Sequence, residues 1–143
     1  MTEPFDLERF LGPQELSHAK ALKELRSGLK LSHWIWWEMP QLRGLGTSVK
    51  SVKYGLSDLT EARFYLSHPV LGRRLVELSM ALMAHKGTPP EAILGPIDAR
   101  KVQSMATLFE AVQGAPAVFE DILDTFYAGM RCRRTQDMLA EQP

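Results

Sequence analysis

The chain has 143 residues, 45% of them apolar and 24% charged, with 17 basic side chains balanced by 17 acidic ones. That length suits one domain, able to bury about two-thirds of its unfolded surface without a disulfide or metal staple, and the composition excludes disordered and fibrous classes. Zero net charge argues against nucleic-acid phosphates or an anionic membrane as the main partner, since both demand a strong positive field.

From the N-terminus, Asp6 is placed to cap a short helix over residues 7–11 that Gly12-Pro13 ends. Residues 14–27 read as a second helix closed by Gly28, and His18 falls inside its apolar stripe of Ala21, Leu22 and Leu25. The next stretch, Ser32-His33-Trp34-Ile35-Trp36-Trp37-Glu38-Met39-Pro40, holds all three tryptophans. Ser32 can cap a short helix that puts His33, Trp36 and Trp37 on one side at i, i+3 and i+4, and Pro40 stops it. After the Gly44-Leu45-Gly46 loop, residues 47–54 form a short helix stopped by Gly55. Asp58 with Glu61 makes a capping box that opens a helix to about Ser67, which His68-Pro69 breaks.

Residues 70–85 form the expected central helix. Leu71, Leu75, Leu78 and Leu82 fill one side of it and Val76, Met80 and Met83 another, an apolar arc wide enough for neighbours on two sides. Thr88 with Glu91 is a second capping box, with proline at the first helical position, opening a brief helix to Leu94. Past Gly95-Pro96, a long helix over 97–112 turns Ile97, Val102, Met105, Leu108, Phe109 and Val112 inward. Past Gly114-Ala115-Pro116, Val118, Phe119, Ile122, Leu123 and Phe126 share a face, and a last helix over about 134–140 lies on the surface. No stretch alternates with strand periodicity. The fold class is therefore all-α: one bundle over 1–143 of about seven to nine helices, several short, around the helix near 70–85.

The N-terminal ten residues lack the apolar core of a signal peptide, no apolar run approaches the roughly 20 residues that span a bilayer, and the single cysteine, Cys132, fits a reducing compartment. A cytoplasmic, soluble protein follows. Its four histidines lack metal-ligand spacing, with no His-Glu-x-x-His and no Cys-x-x-Cys, so neither a metal nor a cofactor is expected.

Several polar residues stand where apolar ones are expected. At 100° per residue, Asp98 and Lys101 fall in the arc of Ile97, Met105, Leu108 and Val112, while Arg100, Gln103 and Thr107 lie opposite. They form either a structural i, i+3 pair or part of a pocket. His33 among tryptophans is either a core group held by a backbone carbonyl or a ligand partner and proton carrier. Glu38 is either solvent-directed or a buried acid. Arg43 with the Gly44–Gly46 loop either makes a plain turn or receives an anion. Cys132, between Arg131 and Arg133, has neighbours that lower a thiol pKa, and Arg131, Arg133 and Arg134 read as a solvated basic cluster.

Ser32-His33-Trp34-Ile35-Trp36, Pro40-Gln41, Gly44-Leu45-Gly46, Tyr54-Gly55-Leu56, Glu61-Ala62-Arg63 with Tyr65-Leu66, His68-Pro69-Val70-Leu71-Gly72 with Arg74-Leu75, and Asp98 with Lys101, Ser104 and Thr107-Leu108-Phe109 together resemble a family of small bacterial proteins of unknown function that genomes often mislabel as calpastatin. The resemblance covers nearly the whole chain and implies a compact all-helical, cytoplasmic protein with no established activity. Size and the Tyr-Leu-x-His-Pro-x-Leu-x-x-x-Leu run are also similar to a helical glycosidase family acting on ADP-ribose conjugates and riboflavin-pathway intermediates.

The expected function is binding of a small nucleotide-like or phosphorylated ligand near the tryptophan segment, with N-glycosidase-like hydrolysis as its enzymatic form. Trp34 or Trp36 would stack, Arg43 and the Gly44–Gly46 loop would receive the anion, Gln41, His68 and Ser104 would complete the pocket, and His33, Asp98 and Lys101 would carry polar recognition or proton transfer. The alternative is a non-catalytic module that binds a protein through an aromatic patch. Neither a nucleic acid nor a membrane is an expected partner.

Overall fold

The computed structural model describes residues 5–142, and among them the chain forms nine helices and no strand. They are α1 (Glu8–Ser27), α2 (Ile35–Glu38), α3 (Val49–Tyr54), α4 (Leu59–Ser67), α5 (Leu71–Met83), α6 (Pro90–Leu94), α7 (Pro96–Glu110), α8 (Val118–Phe126) and α9 (Arg133–Ala140). The expected all-α bundle is observed. Its centre is shared, however: α5 packs against α1, α4 and α8, while α7 packs against α4, α6, α8 and α9.

Local signals set many boundaries. The Ser48 hydroxyl accepts the Ser51 amide at 3.2 Å and Asp58 accepts the Glu61 amide at 2.8 Å, so α3 and α4 start where their caps stand. Gly28 adopts φ +82°, a conformation open to glycine, and the Leu29 amide closes α1 on the Glu24 carbonyl at 3.1 Å. Only half of the Asp58–Glu61 box forms, because the Glu61 carboxylate bonds the Ser57 amide and Arg9 instead. Pro89 is the N-cap of α6 and Pro90 its first residue, so Thr88 does not cap it.

The largest correction concerns Gly12-Pro13, which ends nothing. One helix runs from Glu8 to Ser27 with Pro13 inside it, its N-cap is Leu7, and Asp6 makes no side-chain cap. A proline in a helix interior costs about 3 kcal/mol. Phe10 and Gln14, four apart and both fully buried, hold one face across the break. Phe10 meets Tyr65 edge-on at 5.0 Å, and the Gln14 amide donates to the Trp37 carbonyl at 2.7 Å and the Tyr65 hydroxyl at 3.0 Å. Packing on both sides of Pro13 outweighs the lost backbone bond.

The core runs through an aromatic series, Phe10, Tyr65, Phe109 and Phe119, that links α1, α4, α7 and α8 with centroid spacings of 5.0, 5.6 and 5.5 Å. Leu71, Leu75, Leu78 and Leu82 are fully buried on α5, each burial stabilising by about 1.5–3 kcal/mol. The second apolar side of α5 behaves otherwise: Val76 and Met83 are half-buried and Met80 is exposed. Ile97, expected inward, is exposed, and Thr107, expected outward, is buried under the C-terminal segment, where its hydroxyl accepts the Cys132 amide at 2.9 Å.

Candidate functional site

The tryptophan segment is anchored by a residue that the helical periodicity left unremarked. Glu24 of α1 accepts the Leu31 amide, the Ser32 amide and the Trp34 indole at 2.9, 3.0 and 2.9 Å on one oxygen, and the Ser32 hydroxyl at 2.6 Å on the other. Ser32 is thereby drawn away from α2, whose N-cap is Trp34. Burial alone would push the Glu24 carboxyl up, but the bonds from Ser32, Trp34 and Leu31 prevail and bring it from 4.5 down to about 2. A depressed folded-state value means stability that is present above the unfolded value and lost as pH falls through the folded one. Each unit is about 1.4 kcal/mol, so Glu24 contributes up to about 3 kcal/mol that disappears between about pH 4.5 and pH 2. Urea unfolding of the wild type and Glu24→Gln across that window should show the gap between them shrinking with acid.

On this anchored segment the structure does bring predicted residues together. Asp98 bonds Lys30 at 2.7 Å and Lys101 at 3.2 Å, Lys101 lies 3.9 Å above the Trp36 ring, and Lys30 lies 4.9 Å from the ring of buried Trp34. Both Asp98 oxygens are thus occupied by lysines that themselves stack on indoles. The remaining predicted residues serve separate local contacts. His33 is exposed ahead of α2. The Gln41 carbonyl accepts the Leu56 amide at 3.0 Å, and the Arg43 guanidinium bonds the Val52 carbonyl at 2.9 Å. His68 caps the start of α5, its Nδ1 accepting the Val70 and Leu71 amides at 3.1 and 3.2 Å.

Ser104 donates to the Arg100 carbonyl at 3.1 Å and lies beside Cys132. Burial raises the Cys132 thiol, but the neighbouring Ser104 and Thr135 side chains and the Thr135 and Arg134 amides at the start of α9, rather than its flanking arginines, hold it below its ordinary value. Arg131 is not free in solvent either: it pairs with Glu110 and with Asp124 at 3.1 Å.

A second network lies across α1, α2 and α5. Glu38 is fully buried, accepts the Ser17 hydroxyl at 2.6 Å and meets His18 Nδ1 at 2.9 Å, while the Trp37 indole donates to Ser17 at 2.9 Å. His18 Nε2 stands 3.6 Å from the Glu77 carboxylate. The inward position of His18 was readable from its helical stripe. Its carboxylate partners were not, because they come from other helices.

Glu77 also lines a groove of about 920 Å³ between α4, α5 and the turn joining α7 to α8. Leu66, Val76, Met80, Ala81, Val112 and Pro116 give it an apolar surface. Arg26, Arg63 and Arg73 rim it, all exposed and, among the described residues, without the carboxylate partners that Arg9, Arg74 and Arg131 have. A second cavity of about 830 Å³ adjoins it, and a third of about 420 Å³ lies beside Arg9 and Arg43. Asp98, Lys101, Trp34 and Trp36 line none of the three. Among the described residues no group of three or more His, Cys, Asp or Glu is placed to hold a metal ion, and no helix is long and apolar enough to cross a membrane.

A family model described as Protein of unknown function (DUF1810) matches residues 4–139. The chain belongs to the DUF1810 family. The crystal structure of the conserved hypothetical protein Rv1873 from Mycobacterium tuberculosis is similar to it, with 42% identity and a TM-score of 0.95 over 98% of this chain and 100% of that one. A comparison with curated proteins finds no match. The DUF1810 assignment fixes the fold and brings no activity with it, so a functional reading rests on the groove and the two buried networks.

Proposed function

We propose that this protein binds a small anionic ligand with an apolar body, a nucleotide-like or phosphorylated compound, in the groove between α4 and α5. One observation carries the reading: three arginines without carboxylate partners among the described residues surround an apolar concavity of about 920 Å³, a size that suits a small ligand. Guanidinium groups bind phosphate in a planar fork, and the apolar surface of Val76, Met80 and Val112 supports a ring or chain. In this reading Asp98, Lys101, Trp34 and Trp36 hold the tryptophan segment on α7, and Glu77, the one carboxylate lining the groove, is where any hydrolytic chemistry resides.

Thermal unfolding with AMP, GMP, ribose 5-phosphate and inorganic phosphate tests it. A ligand at a hundredfold excess over its dissociation constant stabilises by about 2.7 kcal/mol, a rise of about 5–10 °C for a chain of this size. Arg73→Ala and Arg26→Ala should each reduce the rise while leaving the unliganded midpoint within about 1 °C, because both side chains are exposed. No rise with any nucleotide or phosphate overturns the reading and favours a protein partner for the groove.

A further inference from the structure

The groove does not end at its apolar part. Arg63, Val112 and Gln113 line both it and the adjoining cavity of about 830 Å³, so the two cavities share one wall and make a trough in two parts with Arg63 where they meet. The chemistry changes across that junction. On the far side Ser57, Asp58, Thr60 and Gln142 set hydroxyl, carboxylate and amide groups among Leu59, Ala111 and Leu139, where the floor of the first cavity is mainly apolar. Two of these side chains are half used. Asp58 spends Oδ1 on the Glu61 amide at 2.8 Å, and Gln142 spends Oε1 on the Leu59 amide at 3.2 Å. Among the described residues, Asp58 Oδ2 has no donor and the Gln142 amide nitrogen no acceptor. A carboxylate oxygen, an amide NH2 and two hydroxyls lining one cavity supply the donors and acceptors that a sugar or another polyol needs.

We propose that the trough takes a phosphate ester with two unlike ends: an apolar body in the first cavity, the phosphate at Arg63, and a polyol against Asp58, Thr60 and Gln142. The inference rests on the groove reading and extends it to the substrate class. A nucleoside diphosphate sugar has this construction through a pyrophosphate, with its base ring as the flat body, and a lysophospholipid with a polyol head group has it through a phosphate diester; the shared chemistry is an esterified phosphate that joins a ring or chain to a hydroxylated group. Arg63 suits the middle position because its guanidinium reaches either cavity, has no carboxylate partner among the described residues, and lies 5.4 Å from the Phe64 ring.

The test compares UDP, UDP-glucose, lysophosphatidate and lysophosphatidylinositol of the same acyl chain by calorimetric titration of the full chain. Two or so added hydrogen bonds to the polyol raise affinity about tenfold, so UDP-glucose should bind about tenfold more tightly than UDP, or lysophosphatidylinositol about tenfold more tightly than lysophosphatidate. Whichever pair shows the gain identifies the body in the first cavity. Thr60→Trp, a substitution at an exposed position of the second cavity, should abolish the gain and leave UDP or lysophosphatidate binding unchanged, and Arg63→Ala should weaken all four. Equal affinities within both pairs overturn the two-ended trough while leaving the groove reading in place. Failure of all four to bind overturns both.

Discussion

Glu38→Ala should lower the free energy of unfolding by about 2–4 kcal/mol, because it leaves the buried ends of two hydrogen bonds unpaired at about 1–3 kcal/mol each. Glu38 has no exposure and its two oxygens hold the Ser17 hydroxyl and His18 at 2.6 and 2.9 Å. Truncation leaves Ser17, His18 and through Ser17 the Trp37 indole without the acceptor around which they are arranged, in a region where water cannot replace it. Denaturant unfolding reads the loss as a lowered midpoint at constant slope. A double-mutant cycle with His18→Ala separates the pair from its surroundings: a coupling of about 1 kcal/mol is expected, the usual net contribution of one hydrogen bond. A loss under about 1 kcal/mol for Glu38→Ala would show that the network is solvated and not a structural support.

How much of this was legible in the sequence follows from the range of each interaction. Ser48, Asp58 and Gly28 act within four residues, so the starts of α3 and α4 and the end of α1 could be read directly. Gly12-Pro13 was misread because its local preference is overruled by Tyr65, more than fifty residues away, which holds Phe10 and Gln14 on one face. Asp98 and Lys101 were singled out as charges on an inward arc and are paired as i, i+3 spacing allows. The third member, Lys30, lies nearly seventy residues earlier and gave no signal. The same holds for Glu38, whose partners come from α1.

The groove did leave a trace. The apolar arc on residues 70–85, too wide for one neighbour, implies helices on two sides, and the structure fully buries only the leucine side, leaving Val76, Ala81 and Met83 partly covered and Met80 exposed. Val76, Met80 and Ala81 line a concavity instead. Periodicity reports that a face is apolar; it does not report whether a helix or a ligand covers it. The arginines at 26, 63 and 73 belong to three helices or their ends, and only the fold places them around one space.

Gly72→Ala tests the geometry on which that space depends, and it should destabilise by about 3 kcal/mol or more despite a helix-propensity gain of about 1 kcal/mol. Gly72 lies in the first turn of α5, where its amide donates to the His68 carbonyl at 3.0 Å. A Cβ there would stand 1.9 Å from the Leu66 carbonyl oxygen and 2.8 Å from its carbon. The obstacle is backbone, so no rotamer relieves it, and α4 and α5 must separate at their corner. Leu71 and Leu75, both fully buried on α5, would lose their packing in that movement. Leu66 and Gly72 also line the groove, so ligand affinity should fall together with stability. Gly12→Ala is the control: it lies within α1 with nothing beyond its chain neighbours within 4 Å of an added Cβ, and its propensity gain is opposed by the ring of Pro13 that follows, so the net change should stay within about 1 kcal/mol. Equal effects at the two positions would mean that α4 and α5 do not meet as closely as their corner shows, and the groove between them would lose its fixed width.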